Sequence, residues 1–150
     1  MTRDDFVKRG ERKVDFLKNY RLVSRWACRN YELQIADLEL LFYLDPIVYF
    51  TIKDFKEGTL FYCWDKDRFY RLLREDWIEK IAGRENNGNK GHNKYKVSSK
   101  GQRLIKRIYK ILIDQEDLPE GARSNSIMKR ESYTDKVYSE AIKAFNRKKK

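Results

Sequence analysis

The chain has 150 residues, the size of one compact domain, and no apolar run approaches the length of a membrane span. Hydrophobic residues make up 41% and aromatic residues 14%, which excludes a disordered chain. The formal net charge is +11, the start MTRDDFVKRGERK lacks the apolar core of a secretory signal, and there are only two cysteines, Cys28 and Cys63, in apolar surroundings. These features point to a soluble, cytoplasmic protein without disulfides, with a polyanion as partner: nucleic acid first, an anionic membrane surface second.

Residues 1–13 are dominated by charge and read as a loose arm. From Val14 to Tyr31, Phe16, Tyr20, Val23 and Ala27 recur at three and four, joined by Leu17 and Tyr31, which predicts a first helix with that face inward. "LQIADLELLFYL", Leu33 to Leu44, is apolar on most sides and predicts a buried second helix stopped by Asp45-Pro46. Thr51 and Asp54 have the spacing of a capping box and open a short third helix through Phe55, up to about Leu60. In "CWDKDRFYRLLREDWIEKI", Phe69, Leu72 and Leu73 share one side of a fourth helix. Trp77 to Ala82 then runs extended.

Residues 83–93 hold no aliphatic or aromatic side chain, and "KYKVSS" then alternates Tyr95 and Val97 with Lys94, Lys96 and Ser98. That alternation predicts a strand antiparallel to Trp77 to Ala82, with residues 83–93 as the projecting loop of a β-hairpin. Ser98 or Ser99 caps a helix from about Lys100 to Asp114, whose inner residues are Leu104, Ile105, Ile108, Ile111 and Leu112. After a turn-rich connection around Pro119 and Gly121, Ser124 or Asn125 starts a last helix with an apolar stripe of Val137, Tyr138, Ala141 and Phe145. There is no internal repeat and no linker long enough to divide residues 14–150, which read as one domain.

The charge is unevenly placed. Between Glu85 and Asp114 there is no acidic residue, while Lys90, Lys94, Lys96, Lys100, Arg103, Lys106, Arg107 and Lys110 all fall there. A merely solvated surface mixes the signs.

The order of elements, together with "RLLREDWIEKI" and "YKVSSKGQRLI", resembles the winged-helix regulators of the MarR type over about Val14 to Phe145. The first stretch is similar to the family's recognition-helix end stepping into the first wing strand. The second is similar to the second wing strand running into a capped helix, with Gly101 in place. The resemblance implies a mainly α fold with a small β-hairpin wing: a winged helix-turn-helix (about 51–76, wing about 77–98) flanked by an N-terminal helix and C-terminal helices (about 99–146). It implies a transcriptional regulator that binds double-stranded DNA and forms a homodimer through the N-terminal helix and the C-terminal helices. The family's wing Asp-x-Arg pair is missing, Asn89-Lys90-Gly91 standing there instead, so its minor-groove Arg contact is not carried over.

A helix-turn-helix lays its second helix in the major groove, which makes Lys66, Arg68, Tyr70, Arg71 and Arg74 candidates for base or phosphate contact, Arg68 and Arg71 foremost for specificity. Lys90, His92 and Lys94 at the hairpin would meet sugar-phosphate or the minor groove, and Lys100 and Arg103 phosphates. Asp65 and Asp67, at the start of that helix, are open to capping, to accepting from a cytosine amino group, or to pairing with Lys66 and Arg68. Trp64 and Trp77 read as core aromatics bracketing the helix, or else as exposed anchors.

Two rivals use the same residues: a sequence-independent architectural or packaging protein, which needs only the basic wing, and a winged helix that docks an acidic protein partner. Catalysis has little support. The single histidine, His92, has no nucleophile or orienting acid at a recognisable spacing, Cys28, Cys63 and His92 do not form a metal-ligand pattern, and "GNKGHNK" lacks P-loop spacing. No cofactor or metal is expected.

Overall fold

The computed structural model describes residues 16–58, 66–82, 93–113 and 115–148. The expected arm, 1–13, and the hairpin loop up to His92 lie outside the described residues. Among the described residues six α-helices and two strands follow in order: α1 Phe16–Tyr31, α2 Ile35–Leu44, α3 Ile52–Gly58, α4 Lys66–Arg74, β1 Ile78–Ala82, β2 Lys94–Val97, α5 Ser99–Leu112 and α6 Tyr133–Lys148, with a 3-10 turn at Ser126–Lys129. The protein is thus mainly helical with a small two-stranded antiparallel sheet. Within the span expected to be one domain, the chain packs as two compact units. One is Leu33–Arg107; the other combines α1 with the chain from Ile108 onward. Among the described residues no helix is long and apolar enough to cross a membrane.

In the Leu33–Arg107 unit several expected local signals are used, although Leu73, expected on the inner side of α4, is half-buried. Thr51 N–H donates to Asp54 Oδ2 (2.9 Å), and Asp54 N–H reaches Thr51 Oγ1 (3.4 Å), so α3 opens with the expected capping box. β1 and β2 pair with Ile78 opposite Val97 and Glu79 opposite Lys96, and a bulge falls between Lys80 and Ala82. A further antiparallel bridge joins Phe50 to Tyr95, with both backbone bonds at 2.8 Å, so β2 lies between β1 and the segment leading into α3.

Aromatic rings fill the space between these elements. Phe69 of α4 meets Phe55 edge-on (5.0 Å) and Tyr95 edge-on (5.1 Å), and Tyr95 stacks on Phe50 (6.1 Å). Leu38, Leu41, Leu44, Leu72 and Ile78 complete the core.

Three residues close the corner from α4 to β1. Asp76 takes the left-handed conformation (φ 63°), while Trp77 N–H bonds the Leu72 carbonyl (2.9 Å) and Asp76 N–H the Leu73 carbonyl (3.3 Å), a Schellman ending. Of the two candidate caps for α5, Ser98 is the one used. Its hydroxyl donates to the Asp76 carbonyl and accepts from Gly101 N–H (3.1 Å). Gly101 sits so close to this corner that a Cβ there would lie 2.7 Å from Val97 Cγ1 and 3.0 Å from the Trp77 carbonyl oxygen. That explains a glycine in the first turn of a helix, where it otherwise costs stability.

The helical unit differs from expectation in which faces it buries. On α1 the buried row is Leu22, Val23, Trp26 and Ala27, whereas Leu17 is 57% exposed and Tyr20 and Tyr31 are half-buried. Trp26 turns the face, because its indole N–H donates to the Ser124 carbonyl (3.0 Å) and its ring fills the core. The last helix does not start at Ser124 or Asn125. Asn125 instead caps the 3-10 turn through Ile127 N–H (3.1 Å) and donates to the Pro119 carbonyl (2.8 Å). Arg130 ends that turn in the left-handed region, and α6 begins at Tyr133 with Ser132 Oγ accepting from Asp135 N–H (3.1 Å).

The inner row of α6 is Asp135, Ser139, Ile142, Phe145 and Asn146, not the expected Val137, Tyr138 and Ala141. Polar side chains take inner positions because each has a partner. Asn146 exchanges two hydrogen bonds with the Leu118 backbone (3.0 and 2.9 Å). Asp135 receives Arg29 at 2.7 and 3.2 Å, with Arg25 at 3.7 Å. The Arg29 hydrogen bond holds the Asp135 carboxyl below the usual carboxylate range, against the opposing effect of burial.

Candidate nucleic-acid interface

The candidate interface is built on α4, "KDRFYRLLR". Phe69 and Leu72, at i and i+3, are buried to within 1% and anchor the inner side. Helical periodicity then forces Asp67, Tyr70 and Arg74 outward, where all three are exposed, Tyr70 at 48%. Asp67 stands in the first turn, where a carboxylate is favourable to the helix dipole, and Arg71 and Arg74 stand in the last turn, where cations are.

Arg68 and Arg71 flank that outer face, and both reach a residue that the sequence expectations left out. Asp37, in the first turn of α2, is completely buried. Its Oδ2 accepts from Gln34 N–H (3.0 Å), and its Oδ1 accepts from Arg68 Nε (2.8 Å) and Arg71 Nη2 (2.9 Å). Arg68 also donates to Gln34 Oε1 (3.3 Å), keeps only 11% of its side chain in solvent, and has Nη1 buried without an acceptor. Arg71 keeps 26%. A signal for Asp37 was present in the sequence: a carboxylate inside a run as apolar as "LQIADLELLFYL" has to be paired if it is buried.

The remaining expected contacts fall into three groups. Lys94 opens β2 and is exposed, and Arg103 is exposed on α5 together with Lys106 and Lys110, one and two turns further along the same outer row. Lys100 is exposed but engaged: its Nζ donates to the Glu75 carbonyl (3.1 Å) and sits 4.0 Å above the Trp77 ring. It neutralises the carbonyl end of α4 and stacks on an indole that is 1% exposed, so Trp77 is a core aromatic. Lys90, His92, Asp65, Trp64, Cys63 and the Lys66 side chain lie outside the described residues. Lys96 pairs across the hairpin with Glu79 (3.2 Å).

Comparison of the chain with protein-family models, with curated proteins and with solved structures finds no match. The site therefore stands on its own geometry. Among the described residues there is no group of three or more His, Cys, Asp or Glu side chains able to hold a metal ion. What the Leu33–Arg107 unit offers is a short helix with an outward face of Tyr70, Arg71, Arg74 and Asp67, and a hairpin carrying an exposed Lys94.

Proposed function

We propose that the protein binds double-stranded DNA as a winged helix of the MarR type and acts as a transcriptional regulator, with α4 in the major groove and the β-hairpin as a basic wing. The observation that carries this is the build of the Leu33–Arg107 unit. Helix α2, a strand-like bridge at Phe50, α3, α4 and the β1–β2 hairpin follow in that order, and α4 turns a polar face outward beside the hairpin's exposed Lys94. This order of elements supports the reading, because a winged helix-turn-helix presents its second helix to base edges while its wing reaches the backbone. Tyr70, Arg71 and Arg74 are the candidates for the groove, and Lys94, Arg103 and Lys106 for phosphates. The protein works by binding, without a catalytic step, and resides with DNA in the cytoplasm.

Pairing of two copies through the N- and C-terminal helices belongs to the same proposal. In the helical unit, α1 and α6 leave an open groove of about 420 Å³ lined by Leu17, Leu22, Val137, Tyr138 and Ala141, with Leu17 57% and Val137 50% exposed. Two-fold pairing would give two half-sites about one helical turn apart.

Sequence-independent binding is the second reading. The observation favouring it is that Arg68 is engaged within the protein, which thins the set of base readers while Lys94, Arg103 and Lys106 stay exposed for phosphates.

Fluorescence anisotropy against a randomised duplex pool and a matched single strand, at several salt concentrations and followed by selection and sequencing, tests both. Duplex binding that falls steeply with salt, with an enriched near-palindromic motif, is expected. Binding without enrichment selects the second reading. Absence of binding at low salt overturns both and directs the search to an acidic protein partner.

A further inference from the structure

Asp37 is the least expected part of the site: a fully buried carboxylate that holds two arginines of α4 and the start of α2 through three hydrogen bonds. An ion cluster of this kind is weak evidence for stability. Two guanidiniums face one carboxylate, Arg68 Nη1 is buried without an acceptor, and apolar side chains would fill the same space without desolvating charge. What charge supplies and apolar packing does not is direction. A guanidinium hydrogen-bonded to a buried carboxylate has its plane fixed before DNA arrives.

The two arginines are sorted by depth. Arg68, with Nε on Asp37 and Nη2 on Gln34, is turned inward and acts as a strut between α2 and α4. Arg71, one turn later on the side nearer solvent, gives Nη2 to the same oxygen and keeps 26% of its side chain exposed beside Tyr70 and Arg74.

We infer that Asp37 is a positioning residue for base recognition: it fixes the Arg71 guanidinium at the outer face of α4 in the orientation that reads a base edge. The inference rests on the DNA-binding function proposed above and adds to it which arginine reads and what holds that arginine. Reading a guanine through O6 and N7 requires a planar fork aimed within narrow limits. A free arginine has to freeze several rotors on binding, and one already held by Asp37 does not. Arg68 is withdrawn from the reading set by the same carboxylate, which makes the two arginines unequal despite their similar places in the sequence.

The test compares the native protein with three variants on the duplex selected from a random pool and on an unrelated duplex. Asp37→Leu combined with Arg68→Met removes the cluster without leaving a lone buried charge. It is expected to melt cooperatively, to keep the native affinity and salt slope on the unrelated duplex, and to lose about tenfold or more of the preference for the selected site. Adding Arg71→Ala to that pair is expected to cause no further loss, because Arg71 is no longer presented. Arg71→Lys, a conservative change at a partly exposed position, keeps the charge but not the plane. It is expected to lose the preference at unchanged salt slope.

A merely structural Asp37 would instead lower the melting temperature and weaken binding to both duplexes alike. The inference is overturned by that result, by full preference in Arg71→Lys, or by an additive loss when Arg71→Ala joins the pair. If the pair fails to fold, Arg71→Lys decides. A native protein that binds no duplex, or enriches no motif, removes the sequence-specific reading itself and the inference with it, an outcome visible before any variant is made.

Discussion

In the Leu33–Arg107 unit, Phe69 ties α3, α4 and β2 together through ring contacts, with Phe55, Tyr95 and Phe50 around it. In the helical unit the ties between distant segments run through polar side chains instead: Trp26 N–H to Ser124, Asn125 to Pro119, Asn146 to Leu118, and Arg29 to Asp135. Apolar contact is tolerant of direction, and a buried hydrogen bond is not, because leaving one partner unsatisfied costs the full desolvation of the group. Ring packing therefore carries much of the first unit, with the Asp37 cluster and Ser98 as its polar ties, whereas the second joins its distant segments through several partnered polar atoms.

Charge is distributed differently as well. The Leu33–Arg107 span holds fifteen Lys and Arg against eleven Asp and Glu, a net of +4, and the rest of the chain holds nineteen against twelve, a net of +7. Net charge alone would have pointed to the helical unit. In the Leu33–Arg107 unit at least three of the eleven acids are engaged within the protein: Asp37 with two arginines, Asp54 in a cap and Glu79 with Lys96.

The comparison breaks most sharply at Phe69. Phe69→Ala empties a site that is 1% exposed and touches three other rings, Phe55, Tyr70 and Tyr95, so a loss of about 3–5 kcal/mol is expected in urea denaturation followed by circular dichroism. Hydrogen exchange should show the loss of protection confined to amides of α2, α3, α4 and the hairpin, while α1 and α6 keep theirs. Uniform loss across both sets would mean that the two units unfold as one.

The same contrast decides how much was legible beforehand. In the Leu33–Arg107 unit, the Thr51–Asp54 box, the alternation of Tyr95 and Val97, and the Phe69 and Leu72 spacing are short-range signals, and the structure uses each of them. In the helical unit the expected apolar stripes hold only in part: Val23, Ala27 and Phe145 are buried as expected, but Leu22 and Trp26 join them on α1 and Asp135, Ser139, Ile142 and Asn146 on α6. A pattern rule assigns the polar row outward. It cannot know that Leu118, 28 residues away, presents the backbone pair that Asn146 completes. At the site, Tyr70, Arg74, Lys94 and Arg103 stand exposed where the sequence placed them. The engagement of Arg68, Arg71 and Lys100 depends on Asp37, Glu75 and Trp77, which are distant in sequence or engaged through backbone.

The second prediction concerns the helical unit and carries a pH signature. Asp135→Asn removes the charge that Arg29 and Arg25 face and should lower stability by about 1.5–3 kcal/mol at pH 7. That is less than a fully enclosed pair would lose, because each guanidinium keeps 35% of its side chain in water. Since the folded Asp135 carboxyl titrates below its usual range, its contribution is complete above the unfolded Asp value of about 3.9 and is lost as pH falls through the lowered folded value. The deficit of Asp135→Asn relative to the native protein should therefore be constant from pH 7 to about 5 and shrink below about 4. A deficit that persists unchanged at pH 3 would show that the side chain's shape, not its charge, is what the fold uses.

The smallest effect sharpens the comparison from the other side, at the corner that presents the candidate interface. Asp76 is exposed, holds a left-handed backbone that costs an ordinary residue, and puts a negative charge at the carbonyl end of α4. Both features oppose stability, and Lys100 offsets only the second through the Glu75 carbonyl. Asp76→Asn removes the charge and keeps a side chain that tolerates the left-handed region, so a gain of about 0.3–0.5 kcal/mol is expected. Asp76→Gly removes both penalties against a larger entropy loss on folding, for a gain of about 0.5–1 kcal/mol. The backbone carbonyl that Ser98 uses is untouched in either variant, so the Ser98 tie to α5 is retained. If both substitutions destabilise, the Asp76 carboxylate serves the corner in its own right, and the ending of α4 depends on a placed polar atom as the helical unit does.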